Sequence, residues 1–122
     1  GEVTAPIARC EPPSLLRRID PAGKPCRTLY RVLESHGQIS RLELHPITGR
    51  THQLRLHCAF LGCPILGDPQ YGTAESRAFS QSLGLTTQLL CAREIRLTHP
   101  ITGEALTFCS ALRPALPYVK EM

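Results

Sequence analysis

Ile47-Thr48-Gly49-Arg50-Thr51-His52-Gln53-Leu54-Arg55-Leu56-His57, closed by Ile65-Leu66-Gly67-Asp68-Pro69-Gln70-Tyr71-Gly72, decides how this chain is read. Thr51 is a suitable N-cap, and Gly62-Cys63-Pro64 supplies a glycine stop followed by a proline, so a helix is expected between them. Leu54, Cys58 and Leu61 fall on one side of that helix and Leu56, Ala59 and Phe60 on another. An element apolar on two sides is expected to be buried between layers. Gln53 and His57 share a narrow polar strip, and Arg55 falls between Cys58 and Ala59, inside the apolar girdle. A cation there is costly unless an anion meets it. Arg55 is therefore either half of a structural ion pair, with Asp68 or Glu43 as the acids at hand, or half of an active site whose acid comes from elsewhere.

The start of this helix has its own chemistry. Gly49 allows a close turn, and Thr51, His52 and Gln53 bring free N–H groups and side-chain donors to the positive end of the helix dipole, beside Arg50. That combination suits a phosphate or another anion; simple capping with exposed polar side chains is the plainer reading. His52 and His57 are five residues apart and point about 140° from one another, so they do not form an i, i+4 metal pair. No Gly-x-Ser-x-Gly elbow and no glycine-rich nucleotide loop is present.

Upstream, Thr28-Leu29-Tyr30-Arg31-Val32-Leu33-Glu34 is rich in strand formers, Ser35-His36-Gly37 can turn the chain, and Ile39 to Leu44 alternates. That pattern predicts a β-hairpin. Residues 1–26 hold five prolines, which excludes a long helix and suggests a connector or edge segment laid over the surface. Downstream, a short helix is expected around Glu75–Leu83, then strands over Leu89–Leu97 and Ala105–Phe108. His99-Pro100-Ile101-Thr102-Gly103 duplicates His45-Pro46-Ile47-Thr48-Gly49. The flanks differ, so the expectation is one turn chemistry used at two strand ends rather than a repeat. The fold class is α+β.

The length of 122 residues allows one domain with a single core. The net charge of +4 comes from twelve arginines against two lysines. That bias suits forked hydrogen bonding to phosphate or carboxylate, and it permits RNA as a partner without establishing it. Aromatic residues make up only 5%, which argues against a base-stacking platform. No apolar run reaches membrane-spanning length and no signal-peptide pattern opens the chain, so a soluble cytoplasmic protein is expected. The six cysteines lack any Cys-x-x-Cys pair; no metal site is expected, and reduced, buried thiols are.

The segment from Leu44 to Gly72 resembles the third signature region of the RluA-type RNA pseudouridine synthases, where a turn, a Thr-Gly-Arg-Thr-His-Gln helix start and a Gly-Asp-Pro-x-Tyr-Gly ending occur together. Looser similarity covers Gly23-Lys24-Pro25 with Tyr30-Arg31-Val32-Leu33, and Leu89-Leu90 to Thr98-His99-Pro100, so it spans about residues 23–110. The resemblance implies isomerisation of uridine to pseudouridine in ribosomal or transfer RNA, on a nucleotide flipped out of its stack, with no cofactor. It implies part of a mixed, mainly antiparallel sheet with a buried helix on one face. The family arginine that pairs with the catalytic aspartate falls on Arg55, RNA contacts on Arg50, Thr51, His52 and Gln53, and a contact to the substrate base on Leu54.

The family's Arg-Leu-Asp motif and its tyrosine motif are missing from this sequence, and Asp20 in Arg18-Ile19-Asp20-Pro21 lacks their surroundings. Cys63 and Cys91 stand where the family often has histidine. The expected organisation is a Pro-rich connector or edge segment (1–26), the C-terminal part of a synthase catalytic domain (27–112) and a tail (113–122). Such a part is expected to be inactive alone, to partner RNA and the remaining N-terminal part of the synthase, and to self-associate through an exposed strand edge. A non-catalytic RNA-binding module is the alternative, and a structural domain with Arg55 paired to Asp68 is a third.

Overall fold

The computed structural model describes residues 1–92 and 94–109. The 113–122 tail and the end of the 27–112 segment lie outside the described residues. The strand-forming run folds as β4 (Thr28–His36), turns through Gly37-Gln38 and returns as β5 (Ile39–Pro46). The two pair antiparallel, with Tyr30 opposite Leu44 and Val32 opposite Leu42, and a bulge at Leu33 shifts the register before Glu34. Gly37 takes φ 61° in the turn, the left-handed geometry that tight hairpins demand.

The Pro-rich segment is more structured than its composition suggests. β1 (Glu2–Val3) pairs with the start of β4, while β2 (Ile7–Arg9) and β3 (Arg17–Ile19) form a separate hairpin. Its prolines stand outside all three strands, where a missing N–H costs no ladder bond. β1 is an edge strand of its sheet, and the segment also contributes to the core: Val3, Ile7 and Cys26 are three of the six buried apolar side chains among the described residues. Ile7 and Cys26 pack with Leu56 of the central helix, and Ile19 and Tyr71 close around them.

That helix, α1, spans Gln53–Phe60 and packs on β3, β4 and β5. It ends in a Schellman motif: the N–H of Gly62 donates to Ala59 O and that of Cys63 to Cys58 O, with Gly62 at φ 80°. Eight helical residues cover about 12 Å, whereas nine strand residues run about 30 Å. α1 therefore shields only the Thr28 end of the hairpin, and Val32 stays 53% exposed. α2 (Ala74–Ser82) begins with a reciprocal cap between Thr73 and Ser76, and β6 (Glu94–Thr98) and β7 (Ala105–Cys109) form a third antiparallel ladder. The class is α+β, with the strands of the described residues divided among three small sheets. Among the described residues no helix is long and apolar enough to cross a membrane.

Candidate functional site

The turn before α1 is built around a buried glutamine. Gln53 Oε1 accepts from the Thr48 hydroxyl at 2.8 Å and from the Arg50 N–H at 3.0 Å, while Nε2 donates to Arg27 O and Thr28 Oγ1, both at 3.0 Å. These bonds tie the turn to the first residues of β4. One helical turn further, His57 lies in the same buried strip. Its Nδ1 is 2.7 Å from Thr28 Oγ1 and its Nε2 is 2.9 Å from Ala5 O. The network closes if Gln53 donates to Thr28, Thr28 donates to His57 Nδ1, and Nε2–H donates to Ala5. Gln53 is 3% exposed and His57 1%, so the polar strip of α1 faces inward, while Phe60 is exposed. The helix is buried as expected, with Leu56 and Cys58 from its two apolar sides inside, but its polar strip is buried with them and Phe60 is not.

Thr51 does not cap α1. The cap position belongs to His52, at φ 57° and ψ 21°, and its side chain accepts no capping bond. A left-handed backbone at a non-glycine residue costs roughly 1–2 kcal/mol and is held by its surroundings. Here the surroundings are Tyr71, whose hydroxyl lies 2.5 Å from His52 Nδ1 and also accepts the Arg17 N–H at 3.1 Å. Burial lowers the His52 pKa first, and the nearby Arg55 and Arg17 lower it further against the opposing pull of Asp68. Gly49, expected to permit a close turn, has no left-handed φ and open space where a Cβ would stand.

Arg55 meets an acid from within the chain. Its Nε donates to Asp68 Oδ2 at 2.9 Å and its Nη2 to Asp68 Oδ1 at 2.6 Å, with a further bond from Nη2 to Gln70 Oε1 at 2.8 Å. The guanidinium carbon lies 4.8 Å from the centre of the Tyr71 ring, within cation–π range. Asp68 also accepts the N–H groups of Gln70 and Tyr71. Burial alone would raise the Asp68 pKa, but the Arg55 hydrogen bonds and those two N–H groups outweigh it and hold the carboxyl below its ordinary value. The preceding Gly67, at φ 80°, passes so close to the Thr87 carbonyl that a Cβ would sit 2.0 Å from its oxygen. Its N–H donates to Ser80 of α2. Of the two readings left open for Arg55, the structure contains the pair with Asp68, made through both carboxylate oxygens. Among the described residues its Nη1 takes no hydrogen bond.

Pro46, Thr48, Gly49, Arg50, His52, Gln53, Leu54, Arg55 and Leu90 line one open cleft of about 280 Å³. The fold therefore brings together all the sequence-predicted site residues except Thr51, which is exposed beside the cleft. Gln53 is at its wall with its amide committed to the chain itself. Arg50 is exposed and anchored to Pro25 O through Nε at 3.2 Å. Tyr71 is the residue that sequence reasoning missed. Its one signal was the Gly67-to-Gly72 ending in a chain with three tyrosines. The cysteines also depart from expectation: Cys26 and Cys58 are buried, Cys58 pushed up to about 11 by burial, but Cys63 and Cys91 are exposed.

This arrangement has the architecture of a pseudouridylate synthase domain. Human RNA pseudouridylate synthase domain containing 1 superposes with a TM-score of 0.78 at 30% identity, over 96% of this chain and 49% of that one. The family model for RNA pseudouridylate synthase matches residues 1–60. An RNA pseudouridine synthase of Chloroflexus aurantiacus is 41% identical over 119 residues, covering 98% of this chain and 36% of the relative. Ribosomal large subunit pseudouridine synthase C of Vibrio vulnificus is 39% identical over 104 residues (85% and 33%), and synthase D of Haemophilus influenzae 40% over 119 (92% and 37%). The chain belongs to the RluA-type pseudouridine synthase family. It spans about a third of the length of these curated relatives. The match begins at residue 1, upstream of the residue 23 expected from sequence.

Proposed function

We propose that this chain forms one wall of the active site of an RNA pseudouridine synthase acting on ribosomal or transfer RNA in the cytoplasm, without a cofactor. The observation that carries this reading is the cleft, where a buried cation and an anion-friendly helix start meet. Arg55 is fixed by Asp68 through two of its nitrogens, which leaves Nη1 to hold an aspartate supplied by the N-terminal part of the synthase. Such a contact would keep that aspartate ionised and oriented. Arg50, Thr51 and His52 would contact the RNA, Gln53 would hold the turn that presents them, and Leu54 would touch the flipped base. In the reaction the N-glycosidic bond of the target uridine breaks, the uracil turns, and C5 joins the ribose.

The test uses RNA carrying tritium at C5 of uridine, since bond formation at C5 releases that label. Purified chain of verified mass should release none. The whole synthase should release tritium, and Arg55→Met should abolish this. Turnover by the chain alone would overturn the proposal. The edge of β5, unpaired among the described residues, and the exposed Val32 and Leu33 also favour self-association or retention of the N-terminal part. A clean monomer in light scattering at high concentration would count against that.

The bidentate Asp68 favours a second reading, in which Arg55 is purely structural and the module binds RNA without catalysis. RNA affinity that falls steeply with salt and survives without the N-terminal part would support it.

A further inference from the structure

Tyr71 has no part in the reading above, yet three elements of the site converge on it. Its ring packs against the Ile7–Cys26–Leu56 core and carries the Arg55 guanidinium on its face. The His52 ring meets it edge-on, with centroids 5.4 Å apart. Its oxygen accepts the backbone N–H of Arg17 in β3. That bond commits one lone pair, and among the described residues the only acceptor within reach of the phenolic proton is His52 Nδ1, at 2.5 Å.

We propose that Tyr71 is a positioning residue that fixes His52 as the Nε2–H tautomer, making it a neutral hydrogen-bond donor to an acceptor oxygen of the RNA. The second half of this rests on the RNA reading given above; the first does not. A relay runs from the Arg17 N–H to the phenol oxygen, and from the phenol proton to Nδ1. The imidazole proton must then sit on Nε2, because an imidazole that accepts at one nitrogen donates at the other. Nε2 has no partner among the described residues, and His52 lines the cleft. The opposite tautomer, with Nδ1–H donating, would leave the phenolic proton without an acceptor in a half-buried position, which costs free energy. Burial and the flanking Arg55 and Arg17 disfavour a charged imidazolium here. The left-handed backbone of His52 turns its ring towards Tyr71, so the relay also accounts for a conformation that a histidine adopts at a cost.

The test is the nitrogen spectrum of the imidazole in 15N-labelled protein at mildly alkaline pH, compared with Tyr71→Phe. That variant keeps the ring under Arg55 and removes only the hydroxyl. The wild type should show one tautomer at His52, protonated at Nε2, and the variant a mixture. Affinity for a fluorescein-labelled stem-loop RNA with a uridine loop should fall about two- to threefold in the variant, because only the Nε2–H fraction of the mixture can donate. A protonated Nδ1 in the wild type, or an unchanged spectrum in the variant, would overturn the proposal. The wild-type spectrum decides alone if the variant does not fold. An altered tautomer with unaltered RNA affinity would refute the donor role. Failure of the wild type to bind RNA at all would fall on the functional reading, leaving the tautomer assignment standing.

Discussion

Replacing Asp68 with Asn tests how the buried charge at the centre of the site is held. Oδ1 accepts from Arg55 Nη2, Gln70 N and Tyr71 N, whereas among the described residues Oδ2 accepts only from Arg55 Nε. Asn in its better orientation keeps Oδ1 and sets an amide NH₂ against the Arg55 Nε–H, donor against donor. The Asp68 side chain is fully buried and that of Arg55 10% exposed, so little water is available to relieve the clash. Removing one partner of a buried pair costs about 3–5 kcal/mol, because the other charge stays behind uncompensated. Against a total of roughly 5–15 kcal/mol for a domain, that is a large share. Urea unfolding at neutral pH should show the midpoint falling with the slope unchanged. A loss below about 1 kcal/mol would refute the argument and show that Asp68 does not hold the buried charge of Arg55.

The double variant Arg55→Met with Asp68→Leu separates charge from shape. It should recover most of the loss, since an apolar pair of similar volume often replaces a buried ion pair at little cost. Recovery should be incomplete by about 1 kcal/mol for each of the Gln70 and Tyr71 N–H groups left without its acceptor. The pair also makes stability depend on acid. Because the folded Asp68 pKa is depressed, the unfolded chain takes up the proton first. The contribution is complete above the unfolded value near about 4 and is lost as pH falls through the folded value. Asp68→Asn should flatten the acid limb of the stability curve below about pH 4; an unchanged limb would show that another carboxylate dominates it.

Three further perturbations probe the surrounding framework. Thr28→Val removes the hydroxyl shared by Gln53 and His57 and should cost about 1–3 kcal/mol in thermal or urea unfolding, with no loss meaning that the buried polar strip is satisfied otherwise. Gly62→Ala should cost roughly 1–2 kcal/mol through its left-handed φ alone, whereas Gly49→Ala should stay within about 0.5 kcal/mol; equal effects at both would contradict the assigned backbones. Arg50→Ala should weaken RNA binding evenly across sequences and reduce the salt slope by about 1, and an unchanged slope would remove Arg50 from the phosphate contacts.

The helix and its glycine stop were legible in the sequence because they depend on neighbours within a turn. The Gly62 Schellman ending uses contacts of five residues or fewer, and the hairpin rests on a run of strand formers followed by the alternation of Ile39–Leu44. The inward direction of the Gln53–His57 strip was not legible. Patterning assigns polar side chains to water, and that assignment fails where every donor and acceptor finds a partner inside the chain. Those partners are Ala5, Arg27 and Thr28, 25 to 52 residues away, so no local window contains the information. Tyr71 was hidden for the same reason: its phenol is defined by Arg17, 54 residues distant.

The duplicated pentapeptide shows how far this extends. In His45–Gly49, the Thr48 hydroxyl accepts the Arg27 N–H and donates to Gln53, and Gly49 has no left-handed φ. In His99–Gly103, His99 Nδ1 accepts the N–H groups of Ile101 and Thr102, and Gly103 turns to φ 71° with its N–H on the His99 carbonyl. The expectation of one turn chemistry at both places therefore fails. The second copy closes on itself because it links two adjacent strands. The first is drawn open by β4 on one side and by Gln53 on the other, and those bonds orient the helix start over the cleft. The same five residues make a plain hairpin turn where nothing distant competes for their donors and acceptors. They frame the candidate site where Gln53 and Arg27 do compete, so the long-range bonds, rather than the motif, make the turn part of the site.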